Sequence, residues 1–266
     1  MNYILRTALI YFVIISSVFA EKLEIKMDGK SIQLPSWTAQ KEQYGAVVLV
    51  NGGERARWST LLEQLAKKLN QDGWSTVLLN CNGDNSLAWN KALPEVVSTL
   101  RQQKNKRIIV LHYGEQLKQT FELFNKAPNA TIEGLILLSA YDLQKTEDKK
   151  IELNVPIFDL AGQFDYQSVL LQFDSRQQMF GQRKYLAMHV PGAHHDYEYS
   201  HQFLLSFMHG WMLKLAEFKV IPPPVLVSYI ESIEPLMPKQ VAFDSDSDWT
   251  GFVDISQEPT QEIEAP

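Results

Sequence analysis

Apolar and polar residues alternate near the front of the chain and fuse into unbroken apolar runs further on. Leu23-Glu24-Ile25-Lys26-Met27 alternates, Asp28-Gly29 follows, and Ile32-Gln33-Leu34 alternates again. Two alternating runs around Asp-Gly predict a β-hairpin. Continuous apolar runs at 46–50, 76–79, 108–111, 132–138, 155–161 and 185–190 instead predict strands buried on both faces. Between them lie stretches of helical period. A capping box from Thr60 to Glu63 opens one, Leu61, Leu62, Leu65 and Leu69 line its face, and Gly73 stops it. Further helices are predicted over 93–104, with Pro94 in the first turn, and over 115–125, 169–180 and 199–218. Strands that alternate with helices predict an α/β fold, a mostly parallel sheet with helices on both faces. The hairpin and the six buried strands make eight strands.

The two ends of the chain follow different rules. Arg6 precedes a run dominated by apolar residues over 7–19, Val18-Phe19-Ala20 places small residues at the −3 and −1 positions, and Glu21-Lys22 follows at once. This is the layout of a secretory signal peptide over 1–20, removed on export. The alternative is an uncleaved N-terminal anchor, although the run is short of the ~20 apolar residues of a comfortable span. No cysteine follows the run, which excludes a lipoprotein anchor. The periplasm is the expected destination, with full secretion as the alternative, and no transmembrane anchor is expected after cleavage. Residues 21–220 then form the α/β domain. Pro222-Pro223-Pro224 begins an extended linker, and from Val241 onward there is no Lys or Arg while seven acidic residues are scattered through polar sequence. A disordered acidic tail over 221–266 is expected. Trp249 and Phe252 leave open a docking role for it.

Composition narrows the classes. The 266 residues are 45% hydrophobic with a formal net charge of −6, enough for one sizeable core and without the basic surplus of a nucleic-acid binder. Cys81 is the sole cysteine, so no intramolecular disulfide can form. It falls at the end of a buried run and reads as a small apolar residue.

In a parallel α/β sheet, chemistry gathers at the carboxyl ends of the strands. Asn51-Gly52-Gly53 follows the 46–50 strand, His112-Tyr113-Gly114-Glu115 follows 108–111, Gly162-Gln163-Phe164-Asp165 follows 155–161, and Pro191-Gly192-Ala193-His194-His195 follows 185–190. Their order and spacing resemble the α/β-hydrolase superfamily, over roughly residues 25–218, in a lidless bacterial branch. The connection over 139–155 leaves no room for a lid. The resemblance implies Asp165 as the acid and His195 as the histidine, with His194 as the alternative. It implies Asn51, Gly52 and Gly53 as a turn beside an oxyanion hole, though a plain glycine turn serves equally. It also places Tyr113 at the elbow where the family carries serine within Gly-x-Ser-x-Gly. Leu111 and Glu115 stand for the two glycines. A phenol of ordinary pKa near 10 is a poor nucleophile at neutral pH.

Other readings stay open beside this one. Ser139 ends a strand at the right end of the sheet but without an elbow. Glu115 could serve as a base, or simply complement a helix dipole. His189, His194, His195, Asp196 and His201 cluster in sequence, without the spacing that puts ligands on one helical face. No metal and no cofactor are expected. Trp58, Trp74, Trp89 and Trp211 read as packing residues, and Arg55 and Arg57 as loop charges that could meet an anion. The first expectation for function is a non-catalytic binding or assembly factor of the cell envelope, taking an envelope protein or a small ester-like ligand as partner. The alternative is an esterase with a non-standard nucleophile that uses Asp165 and His195.

Overall fold

The computed structural model describes residues 21–39, 43–53, 56–80, 88–126, 132–142, 153–180 and 184–217. The readings of the export segment, Arg55, Arg57, Trp58, Cys81, most of the 139–155 connection and the 221–266 tail lie outside the described residues and side chains.

Eight strands form one sheet in the order β1-β2-β4-β3-β5-β6-β7-β8. β1 (Glu21–Met27) and β2 (Lys30–Trp37) are antiparallel, and Asp28 and Gly29 between them both take the left-handed φ of a tight hairpin turn. β2 joins β4 (Trp74–Leu79) antiparallel; from there on every pairing is parallel. β3 (Gly45–Asn51), β5 (Ile108–Tyr113) and β6 (Gly134–Leu138) are buried at every position, as their unbroken apolar runs require. β7 (Ile157–Phe164) and β8 (Tyr185–His194) complete the sheet.

The sheet separates two cores. Leu62, Leu65 and Leu69 of α1 (Ala56–Gln71) and Leu204, Met208 and Met212 of α5 (His201–Met212) cover one face, meeting Val47 and Leu49 of β3. Leu93, Val96 and Leu100 of α2 (Trp89–Gln102) and Leu117 and Phe121 of α3 (Leu117–Lys126) cover the other, meeting Ala46, Val48 and Val50. One strand feeds both cores because successive side chains point to opposite faces. Trp74 and Trp89 are buried, and Trp211 stacks on Phe158 with ring centroids 5.3 Å apart.

Several boundaries differ from expectation. α1 starts at Ala56, so Thr60 lies inside the helix and does not cap it. α2 starts at Trp89, which puts Pro94 in the helix interior. The closing helix is shorter than 199–218. β8 runs four residues beyond Val190, through Pro191 and Gly192. As the edge strand it tolerates a proline, and the Gly192 N–H donates to Gln163 Oε1 at 2.9 Å across an irregularity in the β7–β8 ladder. α4 (Gln167–Phe180) crosses from β7 to β8 and sinks Arg176 into the interior, where its guanidinium grips Asp159 at 2.6 and 3.1 Å.

Candidate active site

The carboxyl ends of β5, β6, β7 and β8 converge on one buried cluster. β7 ends at Phe164 and hands the chain to Asp165; β8 ends at His194, which pairs with Phe164 across the ladder, and hands it to His195. Acid and base therefore leave neighbouring strands at the same level. His195 Nδ1 lies 2.7 Å from Asp165 Oδ1. A carboxylate only accepts, so the proton on that contact belongs to Nδ1, and a neutral His195 carries its basic lone pair on Nε2. His194 points elsewhere, its ring 5.5 Å from that of Phe164. Of the two histidines, the fold brings His195 to the acid.

Asp165 accepts four hydrogen bonds from described residues. Besides His195, the Tyr166 N–H reaches Oδ1 at 2.8 Å, the Gly162 N–H reaches Oδ2 at 3.0 Å, and the Ser139 hydroxyl donates to Oδ2. Burial pushes this carboxyl up. The hydrogen bond and charge of His195, with the donors Ser139 and Gly162, outweigh it and hold the group below the usual carboxylate range. Asp165 is thus an ionised acid in a dry place.

Aromatic rings enclose His195, which is 4% exposed. Tyr166 stacks on it with centroids 4.1 Å apart, Tyr113 lies at 5.3 Å, and Tyr141 meets it edge-on at 6.2 Å. Tyr166 faces solvent, 43% exposed; Tyr113 is fully buried and donates its hydroxyl to the His195 carbonyl at 2.9 Å. Burial and the nearby Asp165 push the Tyr113 phenol far up, so it stays protonated. Tyr113 supports the histidine loop and offers no nucleophile.

Gly114 leaves β5 with φ 82°, in the left-handed region, and carries no side chain. Tyr113 is still strand. Glu115 follows and accepts from the Tyr141 hydroxyl at 2.9 Å. His112, the residue that carried the elbow resemblance, turns inward: its Nε2 bonds the Glu115 carbonyl at 2.7 Å and its Nδ1 the Thr120 hydroxyl at 2.9 Å. It braces the turn from behind.

The Asn51-Gly52-Gly53 turn is bonded within the fold. Gly52 N–H donates to the Tyr113 carbonyl at 2.8 Å and Gly53 N–H to Asn51 Oδ1 at 3.2 Å. A Cβ on Gly52 would stand 1.8 Å from the Glu115 carbonyl oxygen, so only glycine lets this turn close on the elbow. Gly52 serves that approach. Among the described residues no group of three or more His, Cys, Asp or Glu could hold a metal ion. His189 packs its ring on Phe173 at 4.5 Å.

Sequence reasoning missed Tyr166, Tyr141, Tyr197 and the bond from Ser139. Tyr166 could have been found as the neighbour of the acid; the other contacts join distant segments and leave no local pattern.

No family model and no curated protein matches the chain. Solved structures do. A dienelactone hydrolase from Anabaena variabilis superposes with a TM-score of 0.57 at 12% identity, over 74% of this chain and 98% of its own. Est1E from Butyrivibrio proteoclasticus gives 0.55 at 14%, over 72% and 97%. An α/β serine hydrolase without lid from Xanthomonas campestris gives 0.52 at 10%, over 72% and 92%. With this strand order, this crossover pattern and an acid and a histidine at the ends of the last two strands, the chain has the α/β-hydrolase fold.

Proposed function

We propose that the chain is an exported, lidless hydrolase of small esters whose Asp165–His195 pair acts as a general base on water, because its elbow carries no nucleophilic side chain. The observation that carries the reading is the 2.7 Å contact between His195 Nδ1 and Asp165 Oδ1, which fixes the imidazole tautomer with Nε2 as base. In this reading water attacks the acyl carbon as His195 takes its proton. The tetrahedral intermediate then expels the alkoxide, which leaves with that proton as the alcohol. No acyl-enzyme forms. The structural neighbours named above include a dienelactone hydrolase by name, which supports the substrate class.

The test is turnover of a p-nitrophenyl acetate series by the mature protein. Steady hydrolysis without a burst is expected, with His195→Ala and Asp165→Ala each lowering kcat/KM by about a hundredfold or more. Equal rates in wild type and His195→Ala would overturn it. A second reading then takes its place, favoured by the bare Gly114 elbow and the tyrosines packed on His195: a non-catalytic binding or assembly factor of the envelope, partnered by an envelope protein or an ester-like ligand.

A further inference from the structure

Ser139 is the hydroxyl a search for a displaced nucleophile reaches first. It ends β6 and touches the acid. Its bonding describes another part. The side chain is fully buried. Its proton goes to Asp165 Oδ2, and its oxygen lies 2.7 Å from the Tyr197 hydroxyl. Since the carboxylate can only accept, the order of donation is fixed: Tyr197 donates to Ser139, and Ser139 donates to Asp165. His195 holds the other carboxylate oxygen, so serine and histidine sit on opposite oxygens of the same acid.

The backbone adds an independent observation. Ser139 has φ 45° and Tyr197 φ 54°, both in the left-handed region that non-glycine residues rarely adopt. Such strain persists only where the surroundings over-determine it, and it gathers at functional sites. Here the two strained residues are joined by their hydroxyls, and the Ser139 hydroxyl bonds the carboxylate. Tyr197 is fully buried on the loop after β8; its hydroxyl lies 3.4 Å from the Leu160 carbonyl, and its single proton is the one given to Ser139.

We propose that Ser139 and Tyr197 form a two-hydroxyl relay that positions Asp165, presenting Oδ1 to His195 and keeping the acid ionised, and that Ser139 is not a nucleophile. This rests on the reading of Asp165 and His195 as an acid–base pair. The titratable groups facing the acid are His195 and Tyr197 from beyond β8, Tyr166 from its own loop and Tyr113 from β5, with Asp159 of β7 behind Tyr197.

The experiment is a carbon-13 NMR titration of the Asp165 carboxyl in wild type, Ser139→Gly, Tyr197→Phe and the double variant, together with exposure of the wild type to a fluorophosphonate. Glycine suits φ 45° and phenylalanine keeps the ring, so both variants are chosen to fold. Loss of the serine is expected to raise the titration midpoint by about one unit, because a donor to the charged form is gone. Loss of the phenol should raise it less, and the double variant should match the serine variant. Ser139 should stay unlabelled. An unchanged midpoint in Ser139→Gly, additive shifts in the double variant, or a phosphonylated Ser139 would overturn the relay. The readout needs no turnover, so an inactive wild type would remove the hydrolytic reading and leave this one standing.

Discussion

The histidine that carries the likeness to the elbow motif serves the structure as a brace. His112 is fully enclosed, donates from Nε2 to the Glu115 carbonyl and accepts at Nδ1 from Thr120. Desolvation opposes its charging, and although the backbone carbonyls of Glu115 and Gly114 favour the charged form, its pKa is pulled down to about 4. An unfolded chain takes up that proton near the ordinary 6.5. Between those values the unfolded state binds more protons, so stability is complete above about 6.5 and drains away as pH falls toward 4. The loss reaches about 3 kcal/mol at the bottom of the window. Urea denaturation at several pH values should show this slope in the wild type and a shallower one in His112→Gln. The same residue anchored the likeness to Gly-His-Ser-x-Gly, which put Tyr113 at the elbow position; in the structure Tyr113 ends β5 and the left-handed φ falls on Gly114. Asp165 and His195 were legible because each follows a strand end whose apolar run is plain. Tyr197 was not, because nothing local distinguishes a tyrosine that reaches across to another strand end.

Elements carry their own surprises. Among the described residues, hydrophobic period placed every strand and helix, and the misjudged boundaries share a cause: local punctuation yields to tertiary packing. Pro191 and Gly192 read as a stop, yet β8 continues because an edge strand has a free side for the proline and Gln163 satisfies the glycine amide. α4 breaks its apolar face to bury Arg176, which meets Asp159 and the Ala140 carbonyl at 3.0 Å, while the Tyr185 hydroxyl completes Asp159 at 2.5 Å. Nothing in its spacing announces that. Removing the cation strands a buried carboxylate, and such losses cost about 3–5 kcal/mol. Arg176→Met should therefore shift the urea midpoint far down. Pairing it with Asp159→Leu, which removes the orphaned charge, should recover much of the loss.

At the scale of the molecule, an eight-stranded, mostly parallel sheet was legible from the alternation of strands and helices, whereas the order of the strands, with β4 between β2 and β3, left no mark in the sequence. Among the described residues no helix is long and apolar enough to cross a membrane. The export proposed above, with cleavage after Ala20, would leave Glu21 as the first residue; its side chain, in β1, accepts from Thr38 at 2.5 Å. Export of this kind has a direct check: the protein recovered from the envelope fraction of a host should begin at Glu21 by intact mass. A chain that retains Met1 in the cytosol would refute it.

The ladder between β7 and β8 reaches all the way to the Phe164–His194 pair, one residue short of the acid and the base. The couple is thus secured by the same hydrogen bonds that hold the last strand. Whatever frays this edge therefore loosens the acid and the base together.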